Sequence, residues 1–591
     1  MQIKRWRFKT RGDDNIIKEL NQQLSIGRIA AQLLVQRGIT NVKEAQVFLR
    51  PHLDDLYDPY LMKDMDRAVD RIQKAINGKE KILLYGDYDV DGITSVANLY
   101  LFLERFTDNI DYYIPDRYSE KSGISKQSID FAIENNYTLL IASDCGTKDV
   151  ETVDYANSKN LDIIICDHHK ISSELPRAVA LLNPQRLDCD YPFKELSGCG
   201  VGYKLIQALS KIYNIQITEH TDLIQLLALS IAADMVPVID ENRILAKYGL
   251  KYINEKPIPG LEAILKASGI KRQPDNIYHR EHFFNKQITL SDIVFLVAPR
   301  VNAAGRIQNG RDSVDLLVCK DIAKAEKLAD QINNYNEERK NIDFKATTEA
   351  LEMMEHYSIS NYATILYNPN WPKGVLGIVA ARLTEQYHRP TIILTWSEDD
   401  QLISGSARST KNFNLYEALD QCSDLLENWG GHTYATGISL KQENLDAFIK
   451  RFVNIAENSM TDNMLIPEIE IDAEIDFNDI TKKFVRLLKD FEPFGTGNPQ
   501  PIFYSKNVYD AGGYTKIIAN NHLKLFLSQP NYKFGPGFPA FAYNAIEYYD
   551  HIVAGKPIDI VYAIEENDWV GNNTIIQLNI KDIIKKEPDY E

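Results

Sequence analysis

Cysteine is scarce: six occur in 591 residues, none in a CxxC pair and none in a paired framework. That excludes a disulfide scaffold. Cys145 and Cys166 sit at the ends of apolar runs and read as reduced, buried thiols. A run of about 18 apolar residues is also missing, so no membrane-spanning helix is expected. Met1 to Thr10 is basic and aromatic with no apolar stretch behind it, which argues against a secretion signal. A reducing cytoplasm is the expected location. There is no internal repeat and no low-complexity linker. Net positive charge is absent as well: the chain carries −17. This counts against a generic polyanion binder. Metal-holding carboxylates would add to the negative count, however, and a local basic groove can coexist with an acidic body.

What is present is ordinary globular material, with 44% hydrophobic and 25% charged residues. The length exceeds one core, so three or four domains are expected. Lys81–Tyr85 is an apolar strand pattern, followed by the acidic GDYDVDG loop and a helical pattern over Ile93–Phe106. Thr138–Ser143 runs into Asp144–Cys145–Gly146, and Leu161–Cys166 runs into Asp167–His168–His169. Val179–Asn183 is a further strand. Strands alternating with helices predict an α/β domain with a mostly parallel sheet covered on both faces. In such sheets, ligands sit beyond the carboxyl ends of the strands, where these acidic clusters fall.

Ile322–Tyr357 is polar, helical in period and free of Gly and Pro, so it reads as a connecting helix between lobes. A second α/β unit follows: strand Ala363–Tyr367, helix Gly374–Tyr387 and strand Thr391–Leu394, with Gly405–Ser409 and Gly430–His432 as functional loops. From about Leu465 the pattern becomes short alternating runs, Glu468–Ile475, Ile502–Asp510, His522–Leu527 and Ile558–Ile564, which predict a small β-barrel. The expected boundaries are a helical extension over 1–70, a catalytic domain over 71–320, a connecting helix over 321–357, a second domain over 358–460 and the barrel over 461–591.

Two divalent cations can clamp an in-line displacement at phosphorus if several carboxylates and an imidazole hold them. Asp89 and Asp91 alternate in one loop and can feed both metals. Asp144 arrives from a neighbouring strand end and could bridge, and His168 comes from a third. Asp234 ends an apolar helical run and could close the site. Asp87 is a further ligand or orients the others, and Asp167 orients an imidazole or binds metal. Each piece also has a plain reading. A calcium loop resembles DxDxDG, but no Glu stands at its last ligand position. A single strand-end Asp is usually a cap or turn residue. The set persuades because it shares one rim.

GDYDVDG, DCG, DHH and ADMVP, in this order, resemble the DHH phosphoesterase superfamily. PRVNAAGR at 299–306, GVLGIVAAR at 374–382, GSARS at 405–409, GGHTYATG at 430–437 and PFGTGNP at 493–499 extend the resemblance to its single-strand-specific DNA exonucleases. The resemblance implies a DHH catalytic domain, a DHHA1 domain and a C-terminal OB-fold. It also implies 5′-to-3′ release of mononucleotides from single-stranded DNA in recombination and repair. Asp89, Asp91, Asp144, His168 and Asp234 become metal ligands for two Mn2+ or Mg2+ ions, with Asp144 as the bridge. Asp87 joins them, and His169 lies beside the scissile phosphate. Single-strand-binding protein and a helicase are expected partners of a monomer. The chain departs from the pattern at Trp371–Pro372–Lys373–Gly374, where a histidine is usual, at Trp429, and at Lys170–Ser173 after DHH.

Substrate grip requires phosphate ligands and stacking surfaces. Arg300, Asn302 and Arg306 form one polar set framed by small residues. Gly405, Ser406, Arg408 and Ser409 form a second, and Gly430, Gly431 and His432 a third, together resembling a DHHA1 DNA-binding surface. Arg117, in the aromatic and basic Tyr112–Ser122 stretch, is placed near the rim. Two alternatives stand beside the exonuclease: a phosphoesterase acting on short oligonucleotides or cyclic dinucleotides, and a non-catalytic replication scaffold. The first can lack the long helix and the barrel, and the second should have lost ligands.

Overall fold

The structure, a computed structural model, describes residues 4–117, 120, 123–273, 283–356, 360–398, 401–570 and 573–586; the side chains of His356, His432, 567–570 and 573–574 lie outside the description. It divides into two units. One holds Met1–Phe8 with Glu337–Ile471, the other Lys9–Asn336 with Asp472–Glu591.

In the larger unit the chain runs through β1 (Ile82–Gly86), α1 (Val90–Leu103), β2 (Ile110–Tyr113), β3 (Leu139–Ser143), β4 (Asp162–Cys166) and β5 (Ala180–Leu182). The strands pair in the order β2-β1-β3-β4-β5, all parallel. β1 and β3 are buried along their whole length. This explains their unbroken apolar sequences, since a parallel sheet needs cover on both faces. Successive residues point to opposite faces. Ile82 and Leu84 accordingly enter the core shared with α1, α2 (Gly198–Tyr213) and α3 (Thr221–Ala233), whereas Leu83 and Tyr85 enter a second core. β2 corrects the expectation for Tyr112–Ser122. Tyr112 and Tyr113 pair with Leu84 and Tyr85 as an edge strand, and Tyr112 is buried rather than lining a rim. Tyr118, Ser119, Lys121 and Ser122 lie outside the described residues.

α4 (Ala298–Ile307) follows, and then α5 (Ile322–His356), which passes from one unit into the other. Tyr357, its expected last residue, is outside the described residues. The smaller unit contains β6 (Thr364–Tyr367), α6 (Leu376–Tyr387), β7 (Thr391–Ser397), β8 (Leu402–Arg408), β9 (Asn428–His432) and β10 (Ala435–Leu440). Its sheet order is β9-β10-β8-β7-β6, with only the β6–β7 pair parallel among the described strands. The sequences expected as loops, GSARS and GGH, are mostly strand. Glycine is depleted in strands because it contributes no packing. Here Gly430 faces Gly437 across the β9–β10 ladder, which removes that signal from both partners.

At the C-terminus, strands Phe503–Asp510, Ile558–Val570, Asn573–Lys585, Phe538–Ala542 and His522–Ser528 pair in that order, and the last pairs back to the first. The five close into a ring. Its core is completed by Ile17, Leu20, Leu33, Leu34 and Leu49 from helices Asp14–Leu24, Arg28–Val35 and Val42–Leu49. Glu468–Ile475 is not one barrel strand. Glu468–Ile471 pairs with Arg5–Phe8 in the smaller unit, and Ala473–Glu474 pairs with Phe503–Tyr504 in the larger. The break falls at Asp472, whose buried carboxylate accepts hydrogen bonds from Lys9 Nζ at 2.9 Å and Ile502 N at 2.8 Å. No helix among the described residues is long and apolar enough to cross a membrane.

Candidate active site

The acidic residues reach one place because of where their elements end. After β1 the chain turns into α1, and Asp89 caps that helix by accepting from Asp91 N at 2.9 Å and Gly92 N at 3.1 Å. Gly92 is forced here: a Cβ would stand 2.3 Å from Asp87 O. Asp91, in the first turn, is buried and held by three donors: Gly198 N at 2.6 Å, Cys199 N at 2.9 Å and Ser230 Oγ at 2.6 Å. Asp144 follows β3 in the left-handed region at φ 61°, with its N–H donating to Cys166 O of the neighbouring strand end. Asp234 closes α3, one turn beyond Ser230, and donates its N–H to Ser230 O at 2.9 Å.

His168 is the centre of this group. Its Nε2 lies 3.2 Å from Asp144 Oδ1, 3.6 Å from Asp234 Oδ2 and 3.8 Å from Asp91 Oδ2. Asp144, His168 and His169 form one set that could hold a metal ion, and Asp91, His168 and Asp234 form another, with donor atoms in each within 4.8 Å of one another. The DHH turn is braced from below. Asp167 accepts from His168 N, His169 N, His169 Nδ1 and Thr147 N, at 2.7 to 3.1 Å. Asn183 Nδ2 in turn donates to Thr147 Oγ1 and to His169 O.

Charge is badly balanced in this cluster. Burial, followed by the charges of Asp91, Asp89, Asp234 and Asp87, pushes the Asp144 carboxyl well above the usual range. Burial and Asp89 push Asp87 up to about 7, burial and Asp91 raise Asp89, and burial with Asp91 and Asp89 pushes Asp234 up to about 8. Asp167 goes the other way. Burial opposes its charge, but the His169 and Thr147 donors outweigh it and hold the carboxyl well below the usual range. The same contact lifts His169 to about 9 against its burial. Asp144 Oδ1 is buried and has no hydrogen-bond partner. Hard oxygen donors, one central imidazole, an unsatisfied carboxylate oxygen and mutual repulsion are what a site for divalent cations requires. The residues therefore fit the metals.

Basic residues flank the acidic loop. The Arg117 guanidinium lies 4.6 Å from the Tyr88 ring centroid, and its charge acts on Asp87. Arg306 acts electrostatically on Tyr88, and the preceding Gly305 brings α4 against the Tyr88 backbone, where a Cβ would stand 3.1 Å from Tyr88 O. Arg300 belongs elsewhere. It is buried, with Nε donating to Asn333 Oδ1 at 2.9 Å and Nη1 to Leu296 O at 2.6 Å. Helical spacing explains the split: Asn302 and Arg306 are four apart and share a face, whereas Arg300 is two residues away and does not. The sequence set Arg300–Asn302–Arg306 is thus not one surface.

In the smaller unit, β10 brings two motifs side by side. Ser406 pairs with Gly437, which pairs with Gly430; Arg408 pairs with Ala435, which pairs with His432. Gly405 faces Leu394 of β7, and Gly431, at φ 148°, has no room for a Cβ against Ala435 O. Gly377, in the first turn of α6, lies over Arg408 and Ser406; a Cβ there would meet Arg408 Nη2 at 2.9 Å and Ser406 Oγ at 3.5 Å. Ser409 donates its N–H to Tyr434 O and its Oγ to Phe413 O. His432 ends β9, and its side chain lies outside the described residues. Ser230, Thr147, Asn183 and the Gly198–Cys199 amides, which hydrogen-bond Asp91 and the DHH turn, are supporting positions that sequence reasoning overlooks. The small-residue run SGCGVG at 197–202 is the available signal. Gly198 is needed because a Cβ there would stand 2.6 Å from Asp144 Cβ.

Family models match three segments: the DHH family N-terminal domain over residues 81–231, the DHHA1 domain over 360–458 and the RecJ OB domain over 471–582. A single-stranded-DNA-specific exonuclease RecJ from Bacillus subtilis (strain 168) is 36% identical over 585 residues, which is 99% of this chain and 71% of the relative. This chain belongs to the RecJ family. A second RecJ, from Haemophilus influenzae, is 31% identical over 91% of this chain and 93% of its own length. The crystal structure of RecJ in complex with Mn2+ from Thermus thermophilus shares the fold, with a TM-score of 0.80 at 24% identity, covering 99% of this chain and 80% of that one. A crystal structure of exonuclease RecJ bound to manganese aligns at a TM-score of 0.56 and 25% identity over 69% of this chain and 96% of that one.

Proposed function

We propose that the chain is a single-stranded-DNA-specific exonuclease that hydrolyses phosphodiester bonds from a 5′ end, in DNA recombination and repair. The observation that carries this reading is the convergence of Asp91, Asp144 and Asp234 on His168 at one sheet rim, in a chain whose RecJ-family relatives are named for that activity. Asp87, Asp89, Asp91, Asp144, His168 and Asp234 are the residues that would hold two divalent cations, Mn2+ or Mg2+. When bound, such cations supply an activated nucleophile and charge neutralisation at phosphorus.

The chain's own residues do the rest. Asp91 is locked by Ser230 and two backbone amides, so its remaining lone pairs stay aimed at the site. Asp167 keeps the proton on His169 Nδ1 and presents His169, which is 40% exposed, to a phosphoryl oxygen. A cationic imidazole there offsets charge that grows as the bond breaks. Arg117, Asn302 and Arg306 are assigned to backbone phosphates at the acidic loop, while Arg300 holds α4 in place. Gly405, Ser406, Arg408, Ser409, Gly430, Gly431 and His432 are assigned to the strand in the smaller unit, where glycines let phosphates approach the backbone. The catalytic domain spans 71–320 and the DHHA1 domain 358–460, linked by 321–357. The OB-fold domain, expected over 461–591, is assigned from Asp472 onward, because Glu468–Ile471 pairs with Arg5–Phe8 in the smaller unit, and helices within residues 1–70 join its core. A monomer in the cytoplasm, served by single-strand-binding protein and a helicase, is the finer reading.

The test is digestion of end-labelled DNA with Mn2+. Release of mononucleotides from single strands with a free 5′ end, and not from blunt duplex, is the expected result. Digestion of duplex at an equal rate, or of cyclic dinucleotides alone, would reject it.

A further inference from the structure

The segment that carries Asp234 is anchored by a loop more than two hundred and fifty residues away in sequence. Asp234 caps α3; the next residue, Met235, takes a left-handed conformation at φ 58°, and the chain leaves the helix through Pro237 and Val238. The PFGTGNP loop at 493–499 holds this exit. Val238 N donates to Thr496 O at 2.6 Å. A Cβ on Gly495 would lie 2.7 Å from Val238 Cγ2, and one on Gly497, at φ 75°, would lie 3.1 Å from Pro237 Cβ. The two segments are therefore in contact at glycines, without intervening side chains.

The loop is itself cross-braced by hydrogen bonds. Gly495 and Asn498 exchange backbone hydrogen bonds at 2.9 and 3.1 Å. Asn498 is fully buried; its Nδ2 donates to Phe491 O and Pro493 O, and its Oδ1 accepts from Arg37 Nε at 2.7 Å. Arg37 Nη2 also donates to Pro499 O. On the other side, Arg243, in the helix that follows Val238, donates to Asp490 O and Glu492 O. The neighbouring Pro237 O is held by Asn242 Nδ2 at 3.0 Å.

We infer that the Pro493–Pro499 loop is a positioning element of the catalytic site, which sets where Asp234 stands by clamping Pro237 and Val238. The inference rests on the reading of Asp234 as a metal ligand. Gly495, Thr496 through its carbonyl, Gly497 and Asn498 are its positioning residues, and none touches the reacting atoms.

The experiment uses the full chain and Mn2+ alone, measured by titration calorimetry, beside steady-state cleavage of single-stranded DNA. Gly495→Ala pushes on Val238. It is expected to weaken Mn2+ binding about tenfold or more, in the range seen when a metal ligand loses its outer support. It should also raise the Mn2+ concentration for half-maximal rate and lower kcat, with KM for the strand little changed. Val238→Ala on top of Gly495→Ala makes room for the added methyl and should restore Mn2+ affinity. Gly497→Ala, at an exposed turn, gives a weaker version of the same effect if Gly495→Ala fails to fold. Unaltered Mn2+ affinity in a folded Gly495→Ala or Gly497→Ala protein would overturn the inference, as would loss that Val238→Ala does not relieve. Asp234→Ala separates the two readings. Full Mn2+ stoichiometry in that variant rejects Asp234 as a ligand, whereas reduced stoichiometry there with unaltered binding in the glycine variants rejects only the clamp.

Discussion

Asp144 is the residue on which most of the site's strain is concentrated. It is buried, takes a left-handed backbone, faces four other carboxylates and leaves Oδ1 without a hydrogen bond, beside His168 Nε2 at 3.2 Å. A buried unpartnered oxygen costs roughly 1–3 kcal/mol, so its persistence points to function rather than stability. Asp144→Ala is expected to cut the cleavage rate by about a thousandfold, the scale of losing a transition-state contact. The same change should leave thermal stability equal or raised, because it removes a repelling charge from a crowded site. A drop in melting temperature together with retained nuclease activity would show that Asp144 is structural. Its strand-end position makes this residue legible in the sequence. Ser230 is not legible, because a serine inside an apolar helix is usually bonded to its own backbone, and only the fold brings Asp91 to it.

At the scale of elements, α2 and α3 are joined through His220, which precedes α3. Ser210 Oγ already donates to Ile206 O, so it accepts from His220 Nε2, and Tyr203 OH donates to Nδ1. This arrangement needs the neutral imidazole. Burial, then the charge of Arg105, lowers its pKa to about 4 from the ordinary 6.5. A histidine depressed in the fold takes up its proton more readily when unfolded. Its contribution is thus fully present above pH 6.5 and is lost as pH falls toward 4, up to about 3 kcal/mol in total. Urea midpoints at pH 7 and pH 5 should fall further apart for the natural protein than for His220→Gln; equal spacing would count against the assignment. Elements with strong periodicity are legible from sequence. The four strands expected in the catalytic sheet are found within a residue or two of their predicted ends, and α5 runs as predicted. Edge strand β2 escapes because four residues containing an aspartate carry little pattern. β8 and β9 look like loops because glycine and serine are weak strand formers, and their pairing through β10 is a long-range fact.

At the scale of the molecule, the helices near the start of the chain and the ring near its end share one core. Gln32 Nε2 donates to Asp472 O across 440 residues of sequence. Leu33, Leu34 and Leu49 pack with Phe477, Phe491 and Phe503. A fragment covering residues 472–586 should therefore aggregate alone and become soluble when co-expressed with residues 9–55. Solubility of the isolated ring, judged by size-exclusion chromatography, would contradict a shared core. Sequence periodicity marks both segments as structured but does not pair them, because apolar faces carry no address.

That shared core also dictates an order of events on the ribosome. At roughly 5–20 residues per second, the partners of the first three helices emerge about 20 to 90 seconds after the helices themselves. Throughout that interval the faces of Ile17, Leu20, Leu33 and Leu34 lack the part of their native cover that the ring supplies. Completion of this core is therefore expected only after strands Ile558–Val570 and Asn573–Lys585 have been made, and until then its apolar helix faces are exposed to whatever binds them.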